Sequence, residues 1–179
     1  MRLKEKYQKE VAPALKKKFS YKNVSQIPRL DKVVLNVSFG KKAKEKESTE
    51  SVEKTLRVIT GQKPILTKAK VSISAFKIRE GMIIGATVTL RGKKMYDFIE
   101  KLINISFPRV RDFRGISDKS MDRTGNYTIG FKENSPFPEI KVEDLNNIHG
   151  LEVTIKTTAK NREEGLELLT LIGFPFKKN

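Results

Sequence analysis

Between Met82 and Ile103 the sequence changes its hydrophobic period, and that change limits the folds open to the chain. Met82 to Arg91 reads as a strand, whereas Met95, Phe98, Ile99, Leu102 and Ile103 then recur at the spacing of one helix face, which Pro108 is expected to stop. The same two patterns return elsewhere without regular alternation. Leu30 to Phe39 and Pro64 to Ser74 read as strands, as do Asn126 to Glu133 and Leu151 to Thr158. Val52, Leu56 and Ile59 predict a helix over about Ser48 to Thr60, with Gly61 as its left-handed cap. Asn161, three residues before Glu164, predicts a capping box opening a last helix that buries Leu166, Leu169 and Ile172 and closes at Gly173. Leu3, Tyr7, Val11, Leu15 and Phe19 predict an N-terminal basic helix over about 2–19, kinked by Pro13. Hairpin-linked strands mixed with helices point to an α+β fold: an antiparallel sheet with helices packed on one face and a hairpin loop projecting at about 74–82. With 179 residues and no internal repeat or linker, the chain is expected to form a single domain over 1–179.

Charge narrows the partners. Lysine and arginine total 37 against 21 acidic residues, a formal charge of +16, and a compact body so charged repels itself until a polyanion relieves it. Nucleic acid is the expected counter-charge. The chain has no cysteine, which excludes disulfides, thiolate nucleophiles and cysteine-held zinc, and its one histidine, His149, cannot form a metal cluster alone. With no signal-like or membrane-spanning run, the expected location is cytoplasmic.

Two basic stretches and one acidic stretch carry what chemistry there is. From Gln62 to Lys94 the cations are Lys63, Lys68, Lys70, Lys77, Arg79, Arg91, Lys93 and Lys94, against Glu80 alone. Strand alternation would put Lys68 and Lys70 on one face and Thr67 and Ala69 on the other, a pair of cations suited to a phosphate backbone or to a solvated edge. From Phe107 to Gly115 the arginines Arg109, Arg111 and Arg114 surround Asp112, and Phe113 offers either a stacking face for a base or a plug for the core. Glu133, Glu139, Glu143, Asp144 and Glu152 face Lys141 alone, a surface fit for a basic protein. Nucleotide-loop, zincin and nucleophile-elbow motifs are absent, as are the RRM and KH signatures. Asp112, Asp118 and Asp122 form the one close acidic trio outside helices that could in principle hold Mg²⁺, and the arginines, serine and glycine interleaved with them favour ordinary loop ion pairs instead.

Several stretches, in order along the chain, resemble the large-subunit ribosomal protein five family. They are Ile27-Pro-Arg-Leu-Asp-Lys-Val-Val-Leu-Asn-Val-Ser-Phe-Gly40, Thr60-Gly-Gln-Lys-Pro64, Leu66-Thr-Lys-Ala-Lys70, Phe76-Lys-Ile-Arg-Glu-Gly-Met82 and Gly85-Ala-Thr-Val-Thr-Leu-Arg-Gly92. The match continues through Phe107-Pro-Arg-Val-Arg-Asp-Phe-Arg-Gly115, Gly125-Asn-Tyr-Thr-Ile-Gly130, Phe137-Pro-Glu-Ile140 and Gly173-Phe-Pro-Phe176. The resemblance implies a ferredoxin-like fold and a structural place in the central protuberance of the large ribosomal subunit, beside 5S rRNA, 23S rRNA and other ribosomal proteins there. It implies no enzyme activity, cofactor, metal, membrane or small-molecule substrate.

By the same resemblance, 5S rRNA contacts fall on Asn36, Gln62 and Thr89, with Lys63, Thr67, Lys68, Lys70 and Arg91 around them. A loop of Phe76, Lys77, Ile78, Arg79, Gly81 and Met82 would approach P-site tRNA. Arg109, Arg111, Asp112 and Phe113, with Glu139, Glu143 and Asp144, would meet a small-subunit head protein in an intersubunit bridge. Ser38-Phe39 and the lysines from Lys41 to Lys46 depart from the family pattern. An RNA chaperone acting by charge alone would instead bind every RNA equally, and a metal-dependent nuclease would need the aspartate trio to cooperate.

Overall fold

The computed structural model describes residues 2–40, 46–140 and 148–177. Five strands are present: β1 (Leu30–Ser38), β2 (Ile65–Lys68), β3 (Ile83–Leu90), β4 (Tyr127–Phe131) and β5 (Leu151–Thr157). They form one sheet in the order β2-β3-β1-β5-β4. The helices are α1 (Leu3–Lys6 and Ala12–Phe19, joined by a π turn over Tyr7–Val11), α2 (Lys46–Thr60), α3 (Gly92–Lys101, continued by a π turn over Leu102–Ser106 and by Phe107–Arg109) and α4 (Arg162–Ile172). In the run β1-α2-β2-β3-α3-β5, β3 inserts between β1 and β2, which is the split arrangement of a ferredoxin-like α+β fold, with β4 added beyond β5.

The chain divides into two compact units. The first comprises Met1–Val33, Leu90–Ile129 and Thr154–Asn179. Its core takes Leu3, Val11 and Leu15 from α1, Met95, Phe98, Ile99 and Leu102 from α3, and Leu168, Leu169 and Ile172 from α4. The Lys6 ammonium donates to the Ile172 carbonyl (3.2 Å), a cation at the negative end of α4. The second unit comprises Val34–Thr89 and Gly130–Val153. Its core joins Val52, Leu56 and Ile59 of α2 to Leu35, Val37, Ala86 and Val88, with Phe131 and Phe137 meeting edge to face at 5.5 Å. The cap residues follow the sequence: Gly61 and Gly173 take positive φ, and Asn161 Oδ1 accepts from the Glu164 amide (2.9 Å).

Two local expectations need correction, and both helical prolines follow a change of helix type. In each helix a π turn ends two residues before the proline, after which α1 continues past Pro13 to Phe19 and α3 ends at Arg109, one residue past Pro108. A proline ring clashes with the carbonyl four residues back, and the wider π turn, closed by the Ala12 and Phe107 amides on Tyr7 and Leu102, absorbs that mismatch. The first strand of the predicted hairpin ends at Lys68 instead of Ser74, just past a bulge between Thr67 and Lys68. The capping box is also offset: the Glu164 carboxylate accepts from Lys160 N (2.9 Å), one residue ahead of the cap.

Candidate nucleic-acid interface

Along the second unit's part of the sheet, alternate residues divide cleanly. Leu35, Val37, Ala86 and Val88 are at most 1% exposed, while Val34, Asn36, Thr87 and Thr89 stay partly or fully accessible. The Phe39 amide donates to the Ile84 carbonyl (3.0 Å), which sets the register of β1 on β3 and puts Asn36 on the face of Gly85, Thr87 and Thr89. Thr67 pairs with Gly85 and Ile65 with Thr87, so β2 adds its own polar position to that face.

Gly85 is required for this arrangement. A Cβ there would lie 2.7 Å from the Val37 carbonyl and 2.9 Å from Thr67 Oγ1, so only a glycine lets the Thr67 hydroxyl lie across β3. Thr87 Oγ1 donates to the Leu35 carbonyl (3.0 Å), and Gln62 Nε2 donates to the Thr89 carbonyl (3.3 Å), which ties the loop before β2 along the end of β3. Thr67 pairs with Gly85 and Lys68 with Ile83, so the extra residue of the bulge, Ile84, lies on β3. Lys68 is exposed and Ala69 is buried. Lys63 and Lys70 are exposed nearby in the chain. Asn36, Thr67 and Thr89 are thus brought onto one face, with Gln62 tied to the Thr89 carbonyl at its end, and with Thr87 and Ser38 as further polar positions that the motif comparison had passed over. Their signal was parity: both lie two residues from a named position.

Beyond β2 the chain makes a small closed hairpin. Ile73 and Ile78 exchange both backbone hydrogen bonds (2.9 and 3.1 Å) around a 3₁₀ turn over Ser74–Phe76, and Lys77 takes the left-handed conformation at φ 54°. Ser72 Oγ accepts from the Glu80 amide (2.8 Å), and Ala69 exchanges backbone hydrogen bonds with Met82 and Gly81. Phe76 is 73% exposed at the turn, flanked by exposed Lys77 and Arg79, while Ile78 and Met82 are half-buried and Gly81 is exposed.

The remaining named residues lie in other settings. Arg91 belongs to the first unit, where it precedes α3 and pairs with Asp31 at 3.4 Å, a surface contact that contributes about 0–1 kcal/mol. Phe113 stacks on Phe107 (5.4 Å, 16° between planes), so of its two possible roles the structure shows the plug. Arg109, Arg111 and Asp112 are exposed around it. Glu139 is half-buried in the second unit, and Glu143 and Asp144 lie outside the described residues, as do Lys41, Lys42 and Lys44 of the basic loop.

The aspartate trio is not assembled. Asp118 accepts from Arg162 (3.3 Å), and the Asp122 carboxylate accepts from the amides and side chains of both Thr124 and Asn126 (2.7–3.0 Å). Desolvation pushes the Asp122 carboxyl up, but those hydrogen bonds outweigh it and hold it below its ordinary value of 3.8. Among the described residues no group of three acidic or histidine side chains is placed to hold a metal ion, and no helix is long and apolar enough to cross a membrane.

Two family models match the chain: ribosomal protein L5 over residues 23–79, and the C-terminus of the same ribosomal family over residues 83–176. Curated relatives described as large ribosomal subunit protein uL5 span nearly the whole sequence. That of Desulforamulus reducens is 52% identical over 99% of this chain and 98% of its own length. Those of Leuconostoc mesenteroides and Lactobacillus johnsonii are 53% and 55% identical, each over 98% of both chains. With two models dividing the sequence between them and relatives aligned from end to end, the chain belongs to the ribosomal protein L5 family of the large ribosomal subunit.

Proposed function

We propose that this structural component of the large ribosomal subunit binds 5S rRNA through the accessible sheet face of β1, β2 and β3. The observation that carries the reading is the convergence of Asn36, Thr67 and Thr89 on that one face, with Gln62 bound to the Thr89 carbonyl beside it. Amide and hydroxyl groups there can reach sugar hydroxyls and base edges, and Lys63, Lys68 and Lys70 supply charge for phosphates. Adjacent 23S rRNA and other central-protuberance proteins complete its surroundings in this reading. The membership of the family makes the chain a ribosomal protein and not an enzyme, with the ribosome as its location.

Two secondary contacts belong to the same proposal. The hairpin turn carrying Phe76, Lys77 and Arg79 would touch the backbone of P-site tRNA, a sequence-blind contact supported by its exposure and charge. Arg109, Arg111, Asp112 and Phe113, and the acidic stretch that includes Glu133, Glu139, Glu143 and Asp144, would meet a small-subunit head protein in an intersubunit bridge, with the acidic stretch suited by charge to a basic partner.

The test is binding of the purified chain to 5S rRNA with tRNA as competitor across a salt series. A preference for 5S rRNA of about a hundredfold, or about 2.7 kcal/mol, is expected, falling about tenfold with Asn36→Ala or Thr89→Ala. Equal displacement by tRNA at every salt concentration would reject shape recognition and leave a non-specific polycation.

A further inference from the structure

Among the described residues eight large apolar side chains stand exposed, and four of them, Ile65, Val71, Ile73 and Phe76, fall within one stretch of twelve positions in the second unit. Ile65 is 71% exposed and pairs with Thr87, which adds an aliphatic side chain to the accessible sheet face. Val71 (67%) and Ile73 (44%) lead into the closed hairpin, where the backbone exchange between Ile73 and Ile78 sets those two isoleucines side by side. A cavity of about 570 Å³ opens in the same hairpin, lined by Ile78 with Ser72, Ser74, Lys77 and Arg79. The hairpin is closed by its own hydrogen bonds, so this surface is formed before any partner arrives, and docking costs it little order.

Apolar exposure with a charged rim marks a surface that another molecule covers. The rim here is cationic. Lys63, Lys68, Lys70, Lys77 and Arg79 are all exposed, and among the described residues none of the five is held in an ion pair. Glu80 is the one acid between Gln62 and Lys94. RNA answers the charge but not the apolar groups. Its bases stack on aromatic rings, which suits Phe76, whereas its sugar and phosphate groups give Val71 and Ile73 no apolar surface to pack against. A protein segment that carries carboxylates between aliphatic and aromatic side chains meets both demands, and a basic segment is repelled.

We infer that the stretch from Ile65 to Arg79 docks an acidic, apolar-rich segment of a protein, which covers it in the free chain and is displaced when RNA arrives. The docking stands on exposure and charge alone, and only the displacement rests on the function proposed above.

The test titrates the full chain with a short labelled peptide in which glutamates alternate with leucine and phenylalanine, beside a control peptide with serine at every apolar position. The chain is expected to prefer the first peptide by about thirtyfold, and Val71→Ser/Ile73→Ser to cut that preference to about threefold. The affinity of this variant for 5S rRNA should stay within about twofold, which also shows that it is folded. Lys77→Gln/Arg79→Gln should weaken both peptides alike and flatten their salt dependence. A photo-reactive phenylalanine analogue at position 71 is expected to cross-link an acidic protein in the ribosome-free fraction of cells. Equal affinity for the two peptides overturns the inference and leaves a charged strip, and cross-links to RNA alone overturn it in favour of RNA. Tighter binding to vesicles of anionic phospholipid than to the peptide overturns it in favour of a membrane surface. If excess 5S rRNA leaves the apolar-dependent binding in place, the displacement falls and the docking stands. If the chain shows no 5S rRNA preference while the peptide binds as expected, the sheet-face reading falls and the docking stands.

Discussion

Gly165 of α4 and Gly125 of the loop before β4 lie backbone to backbone, so close that a methyl group on Gly165 would come within 2.5 Å of both the Gly125 Cα and its carbonyl oxygen. That loop is also stitched to the end of β5: Thr157 Oγ1 donates to the Gly125 carbonyl (2.8 Å), and Asn126 Oδ1 accepts from the Thr157 amide (3.0 Å). Gly165→Ala gains roughly 1 kcal/mol of helix propensity but forces the loop and helix apart, and overpacking of this kind costs about 1–3 kcal/mol or more. The expected result is a net loss near 2 kcal/mol and a drop of about 4–8 °C in the thermal midpoint. An unchanged midpoint would mean that the loop yields freely.

That contact shows what could and could not be read from the residues. Signals confined to a few neighbours survived: the periodicity of α3, the Asn161 cap and the Gly61 and Gly173 caps all appear where local chemistry places them. Features set by geometry between distant segments did not. Nothing beside Gly165 says that Gly125 will lie against it, and nothing in Thr67-Lys68 announces a bulge, since a bulge is decided by how β2 meets β3. Neither Pro13 nor Pro108 announces the π turn that precedes it, since each π turn depends on a helix held in place by packing. In the candidate interface, the strand positions Asn36, Thr67 and Thr89 converged on one face because alternation along a strand is local, whereas the bond from Gln62 to the Thr89 carbonyl depends on how distant segments meet.

The loop closed by Asp122 should make stability depend on acid. Its carboxyl is held below 3.8 in the folded chain, so the ionised form stabilises the fold above that value, and the contribution is lost as pH falls through the lower folded value. Asp122→Ala is expected to cost about 1 kcal/mol near neutral pH, by loss of hydrogen bonds to the Thr124 and Asn126 amides. The gap between wild type and variant should stay constant down to about pH 5 and narrow below pH 4. A gap that widens in acid would contradict the sign. Denaturant midpoints measured across that range decide it.

Lys77 separates stability from contact. It holds a left-handed conformation at φ 54°, which costs a lysine about 1 kcal/mol and a glycine almost nothing. Lys77→Gly should therefore leave the thermal midpoint unchanged or raise it, by up to about 1 kcal/mol of stability, although it removes a cation from the proposed tRNA-facing turn. Binding of P-site tRNA to ribosomes carrying this variant should weaken if the turn makes that contact. A destabilised protein would mean that the Lys77 side chain, exposed as it is, contributes packing of its own.

Gln62 and Lys68 stand on the same proposed interface and should fail differently. Gln62 places its amide by donating to the Thr89 carbonyl, and it is neutral, so Gln62→Ala should lower affinity for 5S rRNA by about tenfold at every salt concentration without changing the salt slope. Lys68 is exposed and paired in register with Ile83, where it can meet one phosphate. Lys68→Ala should reduce the slope of log K on log salt by roughly 0.7–0.9 and weaken all RNAs alike, preserving the preference for 5S rRNA. Gln62→Ala should erode that preference, because tRNA gains nothing from the amide. If both variants shift only the slope, the face acts as a charged strip, and recognition of 5S rRNA must come from elsewhere on the chain.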